Sequence, residues 1–140
     1  NNAKTNIRTS EGDGVMNWSA ILFVIAMVES GANSNVKDGD GGLAVGMYQI
    51  HQSYVDDVNR VYGTEYTHED MRTRSKAEDV VIKYLTYWGS RYQLNTGNVP
   101  MAEDYFRLHN GGCHFWKKKH KTDGYVKKCQ KIIERYNLKI

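Results

Sequence analysis

The stretch "AMVESGANSNVKDGDGGLAVGMYQI", residues 26–50, decides how this chain is read. It opens at the end of an apolar run, passes Glu29, and crosses a bed of glycines holding Asp38 and Asp40. It closes on a short β-branched and aromatic segment. The run before it, "VMNWSAILFVIAMV" (residues 15–28), is too short to span a bilayer and predicts a buried core helix. That helix should extend from Val15 to Ser30, with Gly31 as its stop. The Asn, Asp and Gly residues that follow are turn chemistry. "LAVGMYQI" (43–50) predicts a short strand or hairpin leg, which Gly46 weakens.

Working outward, a second helix is expected from Ser53 to Tyr62, with Tyr54, Val55, Val58 and Val61 on one face. The strongest helical period lies in Ser75–Leu94, where Val81, Tyr84, Leu85 and Trp88 follow the i, i+3, i+4, i+7 rule. Ser75 and Glu78 have the spacing of a capping box. Pro100 should open a fourth helix that "GG" (111–112) ends, and a last helix should run from about Thr122 to Tyr136. The expected class is α+β, mainly α, with a small β element between the first and second helices. No repeat or low-complexity block interrupts the chain.

A chain of 140 residues fits one domain with a real core. The polar segment 1–14 reads as a tail or linker, and 15–140 as the domain. The net charge is only +3, yet residues 113–140 hold nine lysines and arginines against two acids. A basic end favours anionic partners such as cell-wall polymer, acidic lipid or nucleic acid. A solvated helix face is the plainer reading of the same charges. Cys113 and Cys129 form an even pair in a small domain, which predicts one disulfide and an oxidising compartment, secreted or extracellular.

The residues able to do chemistry begin with Glu29. In the last turn of an apolar helix, burial disfavours the charged form of a carboxyl, and the helix C-terminal dipole acts the same way. Such a carboxyl suits a general acid, although a Glu pointing to solvent from a helix end has the same spacing. Asp38 and Asp40 offer a second carboxylate, and paired carboxylates are the working parts of glycoside hydrolysis. "DGDGGLAVGMYQ" (38–49) also begins like a calcium loop, but Leu43 occupies the sixth position and Gln49 the twelfth, which makes that reading weak and leaves a plain polar turn as the competitor. His109 and Asn110 precede the double glycine, where they form a helix C-cap or line a cleft. His109, Cys113, His114, His120 and Cys129 lack the spacing of a zinc site. There is no phosphate-binding loop, dinucleotide fingerprint or nucleophile elbow. Neither a metal nor a cofactor is expected.

Taken in order, "VESG", "VGMYQIHQSYVDD", "RLHNGG" and "TDGYVKK" resemble the invertebrate-type, destabilase-like lysozymes. Any one motif is weak, but four in this order, from about Val28 to Lys128, are specific. A broader likeness extends to goose-type lysozymes and lytic transglycosylases, where a Glu-Ser pair precedes a G-x-x-Q-I segment. The resemblance implies a lysozyme-like fold with a β-hairpin or small sheet between the first and second helices. It also implies muramidase activity, cleaving the β-1,4 bond between N-acetylmuramic acid and N-acetylglucosamine. Glu29 falls on the family's general acid. The family's aspartate falls between Asp38 and Asp40, with Asp40 slightly favoured. Tyr48, Gln49, His109, Asn110 and Gly111 match substrate-binding positions along the cleft. The implied partner is peptidoglycan or chitooligosaccharide, with anionic wall polymer favoured by the basic end, and with no nucleic acid and no membrane span. The alternatives are a lytic transglycosylase, which needs only the glutamate, and a glycan-binding module without catalysis. The chain departs from the family in its few cysteines and in Cys113, which stands where a proline follows "HNGG".

Overall fold

The computed structural model describes residues 16–140. The expected tail at 1–14 and the first residue of the expected domain therefore lie outside the described residues. Among the described residues, five α-helices follow in order: α1 (Trp18–Ser30), α2 (Gln52–Tyr62), α3 (Arg74–Thr96), α4 (Ala102–Gly111) and α5 (Asp123–Tyr136). Short 3₁₀ turns occupy Asp40–Gly42, Glu69–Arg72 and Phe115–Thr122. The chain divides into two compact units, one of Ile25–Tyr84 and one of Leu85–Ile140 with the residues up to Val24.

In the unit of Ile25–Tyr84, the expected hairpin is not formed. Only two isolated antiparallel bridges occur there among the described residues, Gly39 with Ala44 and Val45 with Ile50. The cause is local. Gly46 (φ +82°) and Gln49 (φ +51°) both take left-handed conformations, so an extended strand cannot run through them. Gly46 is also needed for space, because a Cβ there would strike the backbone carbonyl of Met71. The resulting loop still buries Ala44, Val45, Met47, Tyr48 and Ile50, which join Val55, Val58, Val80 and Val81 in the core. Burying side chains of this size contributes roughly 1.5–3 kcal/mol each.

Helix α2 presents Tyr54, Val55 and Val58 inward, as its period predicts, and ends at Gly63 (φ +69°). Asn59 holds the chain that leaves it: its Oδ1 accepts from Thr64 Oγ1 (2.8 Å) and Tyr66 N (3.0 Å), and its Nδ2 donates to Tyr66 O (2.8 Å). The capping box expected at Ser75 and Glu78 is absent. Helix α3 begins one residue earlier, and Glu78 instead accepts from the Tyr48 hydroxyl (2.6 Å) and Arg74 Nε (2.9 Å).

In the other unit, Asn17 caps α1 by accepting from Ala20 N (3.1 Å), and its Nδ2 donates to Lys139 O (3.1 Å). Trp18 packs edge-on against Tyr105, and Phe23 against Tyr136. Helix α4 starts after Met101, whose N–H donates to the Asp104 carboxylate (2.9 Å). The buried Arg107 is its tether: the guanidinium donates to Glu103, Asp123, the Thr122 hydroxyl and Lys119 O, all at 2.8–3.0 Å. The predicted Cys113–Cys129 disulfide is not present. Cys113 Sγ lies 3.3 Å from His114 Nδ1, while Cys129 is fully buried on α5. Even spacing in sequence does not by itself bring two sulfurs to bonding geometry.

Candidate active site

Glu29 stands in the last turn of α1, three and four residues after Ala26 and Ile25. Residues at that spacing share a helix face, and both neighbours are buried, so Glu29 continues the buried face to its edge and is itself half-buried. The helix stops at Gly31 (φ +67°) and Ala32 (φ +61°), whose N–H groups bond back to Met27 O and Ala26 O at 3.0 Å. Ser30, beside Glu29, fixes the turn to the following loop. Its hydroxyl donates to Met47 O (2.8 Å) and accepts from Asn33 N (3.2 Å). The glutamate-bearing turn and the "VGMYQI" segment are thereby joined through one side chain.

Tyr54 on α2 lies within electrostatic reach of Glu29. It stacks on Tyr84 with ring centroids 3.6 Å apart and planes 10° from parallel. Burial pushes the Tyr54 phenol well above its ordinary pKa, and the Tyr84 and Glu29 groups add to that rise. The phenol thus stays neutral beside the carboxyl at any physiological pH.

The two aspartates part company. Asp38 is clasped by Arg72, with Oδ1 to Nη1 at 2.8 Å and Oδ2 to Nη2 at 2.9 Å. This fork, opposed by slight desolvation, holds the Asp38 carboxyl below its ordinary range. Asp40, at the start of its 3₁₀ turn with φ +53°, is 65% exposed, and its Oδ2 lies 3.1 Å from His51 Nε2. One aspartate is thus tied into the scaffold, and the other is presented to solvent.

Tyr48 and Gln49 hold the loop together. Tyr48 is fully buried with its hydroxyl on Glu78, and desolvation followed by that bond raises its pKa. Gln49 Nε2 donates to Gly46 O (3.0 Å), and a Cβ on Gly39 would run into Gln49 Oε1. In the other unit, His109 is buried at the end of α4, whereas Asn110 and Gly111 are exposed. Gly111 also permits close packing, since a Cβ there would come within 2.6 Å of Thr122 Cγ2.

The sequence reading did not single out Ser30, His51, Tyr54 as a neighbour of Glu29, or Arg72. Only Ser30 carried a local signal, as a short hydroxyl directly after the glutamate. The others reach their partners across 11 to 34 residues. Among the described residues, no cluster of His, Cys, Asp and Glu could hold a metal ion, and no helix is long and apolar enough to cross a membrane.

No curated protein and no solved structure compared with the chain gave a match. A family model, the transglycosylase SLT domain, matches residues 8–124. That span is most of the chain and contains Glu29, the glycine-rich loop and the end of α4, so the chain belongs to the transglycosylase SLT family of lysozyme-like, peptidoglycan-acting domains.

Proposed function

We propose that this domain cleaves the β-1,4 bond between N-acetylmuramic acid and N-acetylglucosamine in peptidoglycan, as a muramidase of the invertebrate lysozyme type. The observation that carries the reading is the placement of Glu29. It ends the apolar α1, lies within reach of the neutral Tyr54 phenol, and is bound through Ser30 to the loop that also holds Asp40. Glu29 donates its proton to the leaving glycosidic oxygen. Asp40, exposed beside His51, stabilises positive charge developing at the anomeric carbon. The Asp38 fork with Arg72 favours Asp40 for this role, because a clasped carboxylate is not available to a substrate. His51 at 3.1 Å orients Asp40.

The family match supports a second reading, lytic transglycosylation, in which the glutamate acts alone and the muramic acid 6-hydroxyl replaces water. Mass spectrometry of the products from purified peptidoglycan decides between them. Hydrolysis yields reducing muropeptides, and transglycosylation yields 1,6-anhydro products lighter by one water. Binding with neither product would leave a glycan-binding module. An extracellular site of action rests on the substrate alone, since no disulfide joins Cys113 to Cys129.

A further inference from the structure

We propose that a pocket beside the C-terminal end of α4 is a subsite for an oxyanion carried by the wall glycan, a carboxylate or phosphate group held by Lys117, Lys118 and Lys121. The proposal rests on the reading of the domain as acting on peptidoglycan, and it adds what part of that polymer the domain recognises.

The pocket has a volume of about 650 Å³. Asn110, Gly111 and the buried Phe115 form part of its wall. Lys117, Lys118 and Lys121 line it together with His114 and Thr122. Among the described residues, none of the ion pairs uses any of these three ammonium groups. Three like charges around one concavity repel each other, and a bound anion relieves that repulsion.

The lysines also sit on a fixed backbone. Arg107 holds the 3₁₀ segment from beneath through Lys119 O (2.9 Å) and the Thr122 hydroxyl (2.8 Å). Gly111 lets Thr122 approach α4 closely. The positions of the charges are therefore set by the fold, while their flexible stems adapt to the ligand. An ammonium acts as a point charge and accepts carboxylate or phosphate without a fixed planar geometry. The volume leaves room for the sugar or peptide to which such a group is attached. Asn110 and Gly111, which line the pocket, are two of the five positions that the lysozyme resemblance matches to substrate binding, and this favours an anion attached to the glycan strand. In peptidoglycan that group is either a stem-peptide carboxylate or a phosphodiester polymer joined to the glycan.

The test is a titration of the full chain carrying Glu29→Gln, which prevents turnover, with and without the triple change Lys117→Gln, Lys118→Gln and Lys121→Gln. Three ligands are compared: neutral chitotetraose, a disaccharide-pentapeptide with free carboxylates, and a glycan fragment bearing a phosphodiester polymer. The expected result is about a tenfold or greater loss of affinity for one charged ligand, with a shallower salt dependence and unchanged binding of chitotetraose. The ligand that loses affinity identifies the source of the anion. Equal affinities of the two proteins for both charged ligands, an equal loss for chitotetraose, or no binding of either charged ligand would overturn the proposal. So would a loss confined to a DNA duplex run alongside. Digestion of peptidoglycan by the unsubstituted chain is scored separately, so a failure of cleavage is distinguishable from a failure of this subsite.

Discussion

Asp38 and Arg72 lie 34 residues apart and meet in a two-pronged ion pair, with both oxygens within 2.9 Å of the guanidinium nitrogens. This pair closes the glycine-rich loop onto the turn Glu69–Arg72 and lowers the Asp38 pKa. A carboxyl whose folded pKa is depressed stabilises the fold above its unfolded pKa of about 3.9, and loses that contribution as pH falls through the folded value. The melting temperature should therefore drop on acidification below about pH 4, and Asp38→Asn should flatten that part of the profile. Thermal melts of both proteins between neutral and strongly acidic pH check this. Identical acid limbs would show that the fork does not contribute.

Replacing Glu29 by Gln keeps the shape and removes the proton. Peptidoglycan cleavage should fall by about 10²–10⁴-fold, the usual worth of a positioned general acid, with the circular dichroism spectrum retained. A variant that digests purified sacculi at the parent rate would dismiss Glu29 as the acid.

Ser30→Ala removes the hydroxyl that links α1 to Met47 O and Asn33 N. The carbonyl it leaves behind is part-buried and the amide is exposed to water, so the expected cost is about 1 kcal/mol in chemical denaturation. Activity should fall further than stability alone explains, because the same bond positions the turn that carries Glu29. A loss of stability with kcat unchanged would restrict Ser30 to a structural role.

Gly111→Ala places a methyl group about where Thr122 Cγ2 already packs, 2.6 Å from the new carbon. Overpacking of this kind costs about 1–3 kcal/mol. The double change Gly111→Ala with Thr122→Ser removes the opposing methyl and should recover most of the loss. Urea denaturation of the single and double variants measures it.

Much of the fold was legible because helices announce themselves by period. The face of Tyr54, Val55 and Val58 and the long run of α3 appear where the spacing predicts them. What was not legible depends on partners far along the chain. The Ser75–Glu78 box had correct spacing, yet Glu78 answers to Tyr48, 30 residues away. The hairpin failed at Gly46 and Gln49. The glycine warned of this, but nothing marks a glutamine as left-handed. The 3₁₀ segment Phe115–Thr122 has no apolar period and owes its shape to the buried Arg107. The placement of Glu29 in the last turn of α1 was readable from the apolar run and Gly31. The different settings of Asp38 and Asp40 were not, because they depend on Arg72 and His51, which the local sequence of the aspartates does not contain.

The two Asp-Gly steps in the loop also differ in how they age. Slow succinimide formation needs the following amide nitrogen to attack the side-chain carboxyl, and aspartate before glycine is the sequence most open to it. At Asp38–Gly39 both reactants are occupied, the carboxyl by Arg72 and the amide by Ala44 O at 2.9 Å. At Asp40–Gly41 the carboxyl is largely exposed and its contact is a single histidine. Isoaspartate should therefore accumulate at position 40 before position 38, so a stored sample would lose the exposed carboxylate's geometry while its loop scaffold stayed intact.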